Sequence, residues 1–204
     1  MNKKLDKKRN IDFYLLYTLV FFAVALALYL KFFANGKSLV WSHDGVPQHL
    51  NSLAYYGKYL RKVLYTLFIE HKLSLPLWDM HIGYGSDILT TLHYYVIGDP
   101  LTLLSVFVPA SKTEALYAFL IFLRIYLAGI AFSRYSFYHK NSKQATFMGT
   151  MIYIFAGWTI YAAMKHPYFS NPMIYLPLIL LGIDKIYKKQ KPYVFIWSVA
   201  LAGL

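Results

Sequence analysis

Apolar runs long enough to cross a lipid bilayer constrain this chain more than any other feature. Residues 13–34 are apolar apart from Lys31 near their end, and a spanning helix needs about 20 such residues. Inside hydrocarbon each backbone N–H and C=O must be bonded within the segment, so a run of this kind folds as a helix. Further apolar runs follow at residues 114–136, 145–163 and 172–187, and residues 192–204 begin another that stops short of a span. The expected architecture is an all-α polytopic membrane protein with four complete spans and a truncated fifth. That last segment reads as the point where a longer membrane protein is cut.

Charge sets the expected orientation. The chain carries a net charge of +12, which by itself would suit nucleic acid. The cations, however, sit in short clusters beside the apolar runs, at residues 3–9 (KKLDKKR), 139–143 (HKNSK) and 185–191 (KIYKKQK). That is the positive-inside pattern of a membrane protein, and no nucleic-acid partner is expected. It places residues 1–12 in the cytoplasm, residues 35–113 outside as a long loop, and both later clusters back in the cytoplasm. Residues 13–34 are too long, and lack a small-residue cleavage site, for a cleaved signal peptide. Hydrophobic residues make up 58% of the chain and charged ones 15%, where a soluble domain has roughly half and a quarter. With no cysteine, disulfides and thiolate metal sites are excluded.

The long loop is not featureless. Leu50, Leu53, Ala54, Leu60, Leu64, Leu67 and Phe68 recur at helical spacing, and Lys58, Arg61 and Lys62 fall off that stripe. The pattern predicts an amphipathic helix that lies along the membrane surface or packs on other helices. Residues 101–109 are apolar but too short to span, and suit a half-helix or an interfacial segment. Arg124 lies within the second span; a charge there is costly and is expected to be paired or to face a polar cavity.

Most polar residues with chemical capacity fall on the expected external face. The stretch WSHDGVPQHL, residues 41–50, brings together His43, Asp44, Gln48 and His49 around Gly45 and Pro47. Asp44 has two readings. It caps a helix beginning near Val46, or it works as a base or cation ligand at a rigid bend. Asp99, just before Pro100, is either a turn residue or a second carboxylate. Asp79 and Asp87 either bind a sugar or order the loop. Trp78, Tyr94 and Tyr95 suit stacking on a sugar face or simple interfacial anchoring. The histidines have no zinc-like spacing, and Gly83-x-Gly85 lacks the strand and helix of a dinucleotide loop, so it reads as a turn.

Four motifs carry a resemblance over nearly the whole chain: DGVPQ at residues 44–48, PLWDMHIGYG at 76–85, YYVIGDP at 94–100 and HPYFSNP at 166–172. Together they resemble the YfhO family of bacterial multi-span membrane proteins, which is similar to the GT-C superfamily of glycosyltransferases that use lipid-linked sugars. The resemblance implies a GT-C-like transferase. Its donor would be a polyprenyl-phosphate-linked sugar and its acceptor a cell-wall polymer such as teichoic acid, with transfer on the outer membrane face. Asp44 occupies the place of the essential acid that such enzymes keep in their first external loop. On this reading Asp44 and Asp99 are catalytic, and Gln48, Trp78, Asp79, Asp87, Tyr94, Tyr95, Arg124, Lys165, His166 and Asn171 bind substrate. Arg124, Lys165, His166 or a divalent metal ion would offset the charge of the departing phosphate. A flippase for lipid-linked sugars and a non-enzymatic scaffold for envelope assembly are the rival expectations.

Overall fold

The computed structural model describes the backbone of residues 3–204 and the side chains from residue 11 onward; the side chains of the basic cluster at residues 3–9 lie outside the described residues. Helix α1 (Lys3–Ala34) contains neither glycine nor proline, so nothing interrupts its hydrogen-bond ladder. Phe13, Tyr17, Phe21, Ala25 and Tyr29, spaced four apart, are at most 4% exposed, while Leu15, Leu16, Leu19, Phe22, Leu26 and Leu30 stay bare. A row at every fourth residue is the ridge that packs into a neighbouring helix. The uncovered leucine face suits lipid.

A π-helical turn, Gly45–Leu50, leads into α2 (Asn51–Phe68). The expected amphipathic stripe is only half covered. Leu53, Tyr56 and Gly57 are buried, whereas Leu64, Leu67 and Phe68 remain exposed. Arg61, expected on the outer face, instead turns inward. Its Nη1 donates to the carbonyls of Ser105, Val106 and Val108 at 2.9, 3.3 and 2.7 Å. These close the 3₁₀ helix Pro100–Phe107, which is the form taken by the short apolar segment expected at residues 101–109. The end of a helix leaves carbonyls unpaired and carries partial negative charge, and a guanidinium answers both. Gly57 makes the approach possible, because a Cβ there would stand 2.6 Å from the Ser105 carbonyl oxygen.

Between these lies a small antiparallel hairpin that the sequence reading did not anticipate, β1 (Trp78–Asp79) and β2 (Ser86–Asp87), with Trp78 opposite Asp87. Its turn holds the two glycines of Gly83-x-Gly85. Helix α3 (Ile88–Leu92) follows and continues as a π-helical turn, His93–Ile97.

Helix α4 (Thr113–Tyr138) is the second helix long and apolar enough to cross a membrane; the first is the Ile11–Ala34 part of α1. The Tyr17 hydroxyl of α1 donates to the Tyr126 carbonyl of α4 at 2.8 Å, and Thr18 shares a hydrogen bond with the Tyr126 hydroxyl at 2.9 Å. The run at 145–163, expected as one span, is two helices, α5 (Lys143–Ile154) and α6 (Gly157–Lys165), bent by 43° at their junction. The Thr159 hydroxyl reaches back to the Tyr153 carbonyl at 3.3 Å, so a carbonyl near the break is still bonded. Helix α7 (Asn171–Tyr187) has 17 residues, about 26 Å at 1.5 Å per residue. It packs against α4 and against α8 (Tyr193–Ala202). At Gly182 the backbone nitrogen of Phe195 comes so close that a Cβ would meet it at 2.6 Å.

Two basic clusters share one end of this bundle. His139, just past α4, bonds Asp184 near the end of α7 at 2.8 Å, and Phe13 of α1 packs on Phe137 at 4.7 Å between ring centroids. The end of α1, the π-helical turn, the start of α4 and the α6–α7 junction gather at the other end.

Candidate functional site

At that second end, WSHDGVPQHL folds as a wide helical turn in which both Gln48 and His49 donate backbone N–H groups to the Asp44 carbonyl, at 3.2 and 3.3 Å. Pro47 fits because an N–H in the first turn has no partner to lose. The Asp44 side chain makes no capping bond, which removes the capping role weighed for it. Its Oδ1 accepts instead from Gln48 Nε2 at 3.1 Å. Its Oδ2 faces His166 Nε2 at 3.8 Å, with the carboxylate 39% exposed.

His166 is placed by the next residue. Pro167 disfavours helical backbone before it, and His166 takes φ −134°, ψ 86°, ending α6 and turning its ring toward the loop. Its Nδ1 lies 2.9 Å from Nε2 of His49. His49 is 4% exposed, and burial first, then the neighbouring His166, pushes its pKa down to about 4. Tyr95 and Tyr168 flank the His49 ring at 5.5 and 5.2 Å between centroids. The result is a carboxylate and two imidazoles in series, running from the surface inward. His49 was an external polar residue in the sequence with no role attached. The signal that would have found it is the pairing of two distant motifs, HL after DGVPQ and HPYF, around one buried arginine.

Deeper in, the span arginine is paired as expected. Arg124, 3% exposed, bonds the Asp99 carboxylate through Nη2 and donates from Nε to the Asn171 Oδ1 at 3.0 Å. Asp99 also caps the 3₁₀ helix by accepting from the Leu101 N–H at 3.0 Å. Asp99 is thus the counterion of Arg124 and a helix cap at once, and its carboxylate is not free to act as a second base. Asn171 is committed to the same guanidinium. A cavity of about 20 Å³ opens between His49, Thr102, Tyr117 and Arg124. The His49 Nδ1 and the Tyr117 hydroxyl have no hydrogen-bond partner among the described residues.

A larger cavity of about 570 Å³ begins at Asp99, Asn171, Tyr94 and Tyr168 and continues along Leu176, Ile179 and Leu201. It is a channel open to the surface, bounded by α7, the end of α8 and residues 93–98, with polar groups at its Asp99 end, its mouth, and apolar ones along Leu176, Ile179 and Leu201. Phe169, which packs on His166 at 5.0 Å, lines it too.

The remaining expected site residues go elsewhere. Lys165 lies over the Trp41 and Tyr161 rings at 4.2 and 4.3 Å and bonds the Tyr161 hydroxyl, which leaves it at the rim. Asp87 caps α3, accepting from the Thr90 N–H and hydroxyl at 2.6 and 2.8 Å. Trp78 and Asp79 line a separate cleft beside α2. A metal centre does not fit. Among the described residues no group of three His, Asp or Glu side chains is arranged to hold a metal ion, and the two imidazoles near Asp44 spend one nitrogen each on the other.

A family model described as bacterial membrane protein YfhO matches residues 16–202. No curated protein and no solved structure matches the chain.

Proposed function

The chain belongs to the YfhO family of bacterial membrane proteins, and on that footing we propose that it is a membrane glycosyltransferase. It moves a sugar from a polyprenyl-phosphate carrier to a cell-wall polymer such as teichoic acid, with the basic clusters in the cytoplasm and the Asp44 end outside. One observation carries this reading. A half-exposed carboxylate, released from capping and backed by His166 and His49, sits at the same end of the bundle as a cavity that is polar at its mouth and apolar along its length.

The apolar channel suits the polyprenyl tail, and its mouth suits the phosphate and sugar. Asp44 takes the proton of the acceptor hydroxyl. The oxygen attacks the anomeric carbon, the carbon–oxygen bond to phosphate breaks, and polyprenyl phosphate leaves with the electron pair. Gln48 holds one carboxylate oxygen of Asp44, which leaves the other, on the His166 side, to take the proton. The Asp99–Arg124–Asn171 cluster fixes the channel mouth and acts by positioning.

The bent α5–α6 pair favours a second reading, a flippase for lipid-linked sugars, because broken helices recur in transporters. Proteoliposomes holding a labelled polyprenyl-phosphate sugar and acceptor polymer separate the two. Label on the polymer, lost with Asp44→Asn, supports transfer. Intact labelled lipid that crosses the bilayer, with unlabelled polymer, would overturn it in favour of flipping.

A further inference from the structure

The cleft beside α2 is the second chemically equipped surface at this end. It measures about 550 Å³ and is floored by buried Ile88. One wall is a face of α2, where Tyr55, Lys58, Tyr59 and Lys62 recur at intervals of three and four. The other is the β1–β2 hairpin with Trp78, Asp79 and His81. These residues are held, not merely close. The Asp79 carboxylate accepts from the Tyr55 hydroxyl at 2.6 Å, from the His81 N–H at 2.8 Å, and meets His81 Nδ1 at 2.9 Å. Those bonds, the Tyr55 hydroxyl first, keep it well below the usual carboxylate range. Tyr59 donates to the Pro76 carbonyl at 3.2 Å, which ties the segment leading into the hairpin to the helix. Trp78 leaves 60% of its surface exposed while its Nε1 is anchored to the Met80 sulfur at 3.2 Å. An indole anchored at its nitrogen and more than half exposed is a platform for a sugar or polyol face.

Lys58 and Lys62 supply the other half. Both are exposed, line the cleft, and lie one helical turn apart. Among the described residues neither makes a salt bridge. Asp79, the one acid of the cleft, is taken up by Tyr55 and His81. Two free ammonium groups beside an aromatic platform and an oriented hydrogen-bonding network match a ligand that alternates phosphate with polyol or sugar. A neutral glycan would leave the lysines unanswered, and an isolated phosphate would leave the indole and tyrosines unanswered.

We propose that this cleft binds a phosphodiester-linked polyol or sugar polymer, and so holds the acceptor of the reaction proposed above. The assignment rests on that reading for the word acceptor, but the binding itself does not need transfer. Phosphodiester also occurs in lipid headgroups, and the test separates the two sources.

The full chain is placed in nanodiscs of zwitterionic lipid, and binding of purified poly(glycerol phosphate) is measured with no donor present. Binding is expected to weaken about tenfold in Lys58→Ala/Lys62→Ala and again in Trp78→Ala, and to fall with added salt. A neutral glucan of equal length should bind about tenfold more weakly than the polymer. Thermal unfolding of each variant checks that the fold is kept, and Lys58→Gln/Lys62→Gln serves where the alanine variant fails to fold. Equal affinity of wild type and variants for the polymer would overturn the proposal. So would lysine dependence that appears only as tighter association with phosphatidylglycerol in the disc, which would make the cleft a lipid-headgroup site. Binding that follows the lysines and Trp78, in discs that still transfer no sugar once a labelled polyprenyl-phosphate sugar is added, would leave this site standing while the transferase reading fell.

Discussion

Nε2 of His49 lies 2.9 Å from Nδ1 of His166, though 117 residues separate them in the chain. One of the two nitrogens must donate. The Asp44 carboxylate, 3.8 Å from Nε2 of His166, favours a proton on that nitrogen, and in that tautomer Nδ1 of His166 accepts and His49 donates.

Protonating His49 therefore strains the pair, and stability should depend on pH. Burial holds the folded-state pKa near 4, against 6.5 in the unfolded chain. Above the unfolded value both states are neutral and nothing is lost. Between 6.5 and about 4 the unfolded chain takes up a proton that the folded one refuses, so stability falls as pH falls, and the loss is complete below the folded value. The total is roughly 3 kcal/mol. Thermal unfolding of the purified protein in detergent should show this slope, and His49→Asn should flatten it. An unchanged slope in that variant would place the titration elsewhere.

Asp44 should matter for chemistry and little for stability. Asp44→Asn keeps the partner of Gln48 and the shape of the turn. Sugar transfer should fall by about 10²-fold or more, while unfolding stability moves by no more than about 0.5 kcal/mol, because the Asn oxygen still accepts the Gln48 bond at this partly exposed position. A variant that unfolds early but transfers normally once folded would make Asp44 a structural residue.

These residues were unevenly legible in the sequence. The apolar runs gave the helices, since a bilayer leaves a long apolar run no other fold, and a charge inside one of them marked Arg124 as paired. Its partners were not visible, because Asp99 and Asn171 lie 25 and 47 residues away and meet it only through packing. Asp44 stood out by its neighbours. That it would not cap the turn depended on a π-helical geometry that composition does not encode. The inward turn of Arg61 was hidden for a similar reason: helical spacing placed it off the apolar stripe, and only the carbonyls of Ser105, Val106 and Val108 at the helix end explain its direction.

Removing Arg124 should be severe. Arg124→Met leaves the Asp99 carboxylate, 5% exposed, without its counterion, a loss on the order of 3–5 kcal/mol. Asp99→Asn in the same chain removes the stranded charge, so the double variant should be more stable than Arg124→Met alone. Denaturation of the four proteins of this cycle measures the coupling. Additive effects would mean that the two side chains do not share an energy.

Gly57 and Gly157 make a contrasting pair, because one is closed in and the other is open. At Gly57 a Cβ would press on the Ser105 carbonyl oxygen at 2.6 Å, and backbone on a helix that Arg61 already holds has little room to give. Gly57→Ala should cost about 1–3 kcal/mol. It should also part α2 from the 3₁₀ helix that Asp99 caps, and so weaken the Arg124 cluster. At Gly157, in the first turn of α6, a Cβ meets nothing within 4 Å. Gly157→Ala should leave stability unchanged or raise it by up to about 1 kcal/mol through the unfolded state. Unfolding midpoints of the two variants decide the matter: equal midpoints would show that α2 does not ride on Ser105, and that the site end of the bundle is set by other contacts.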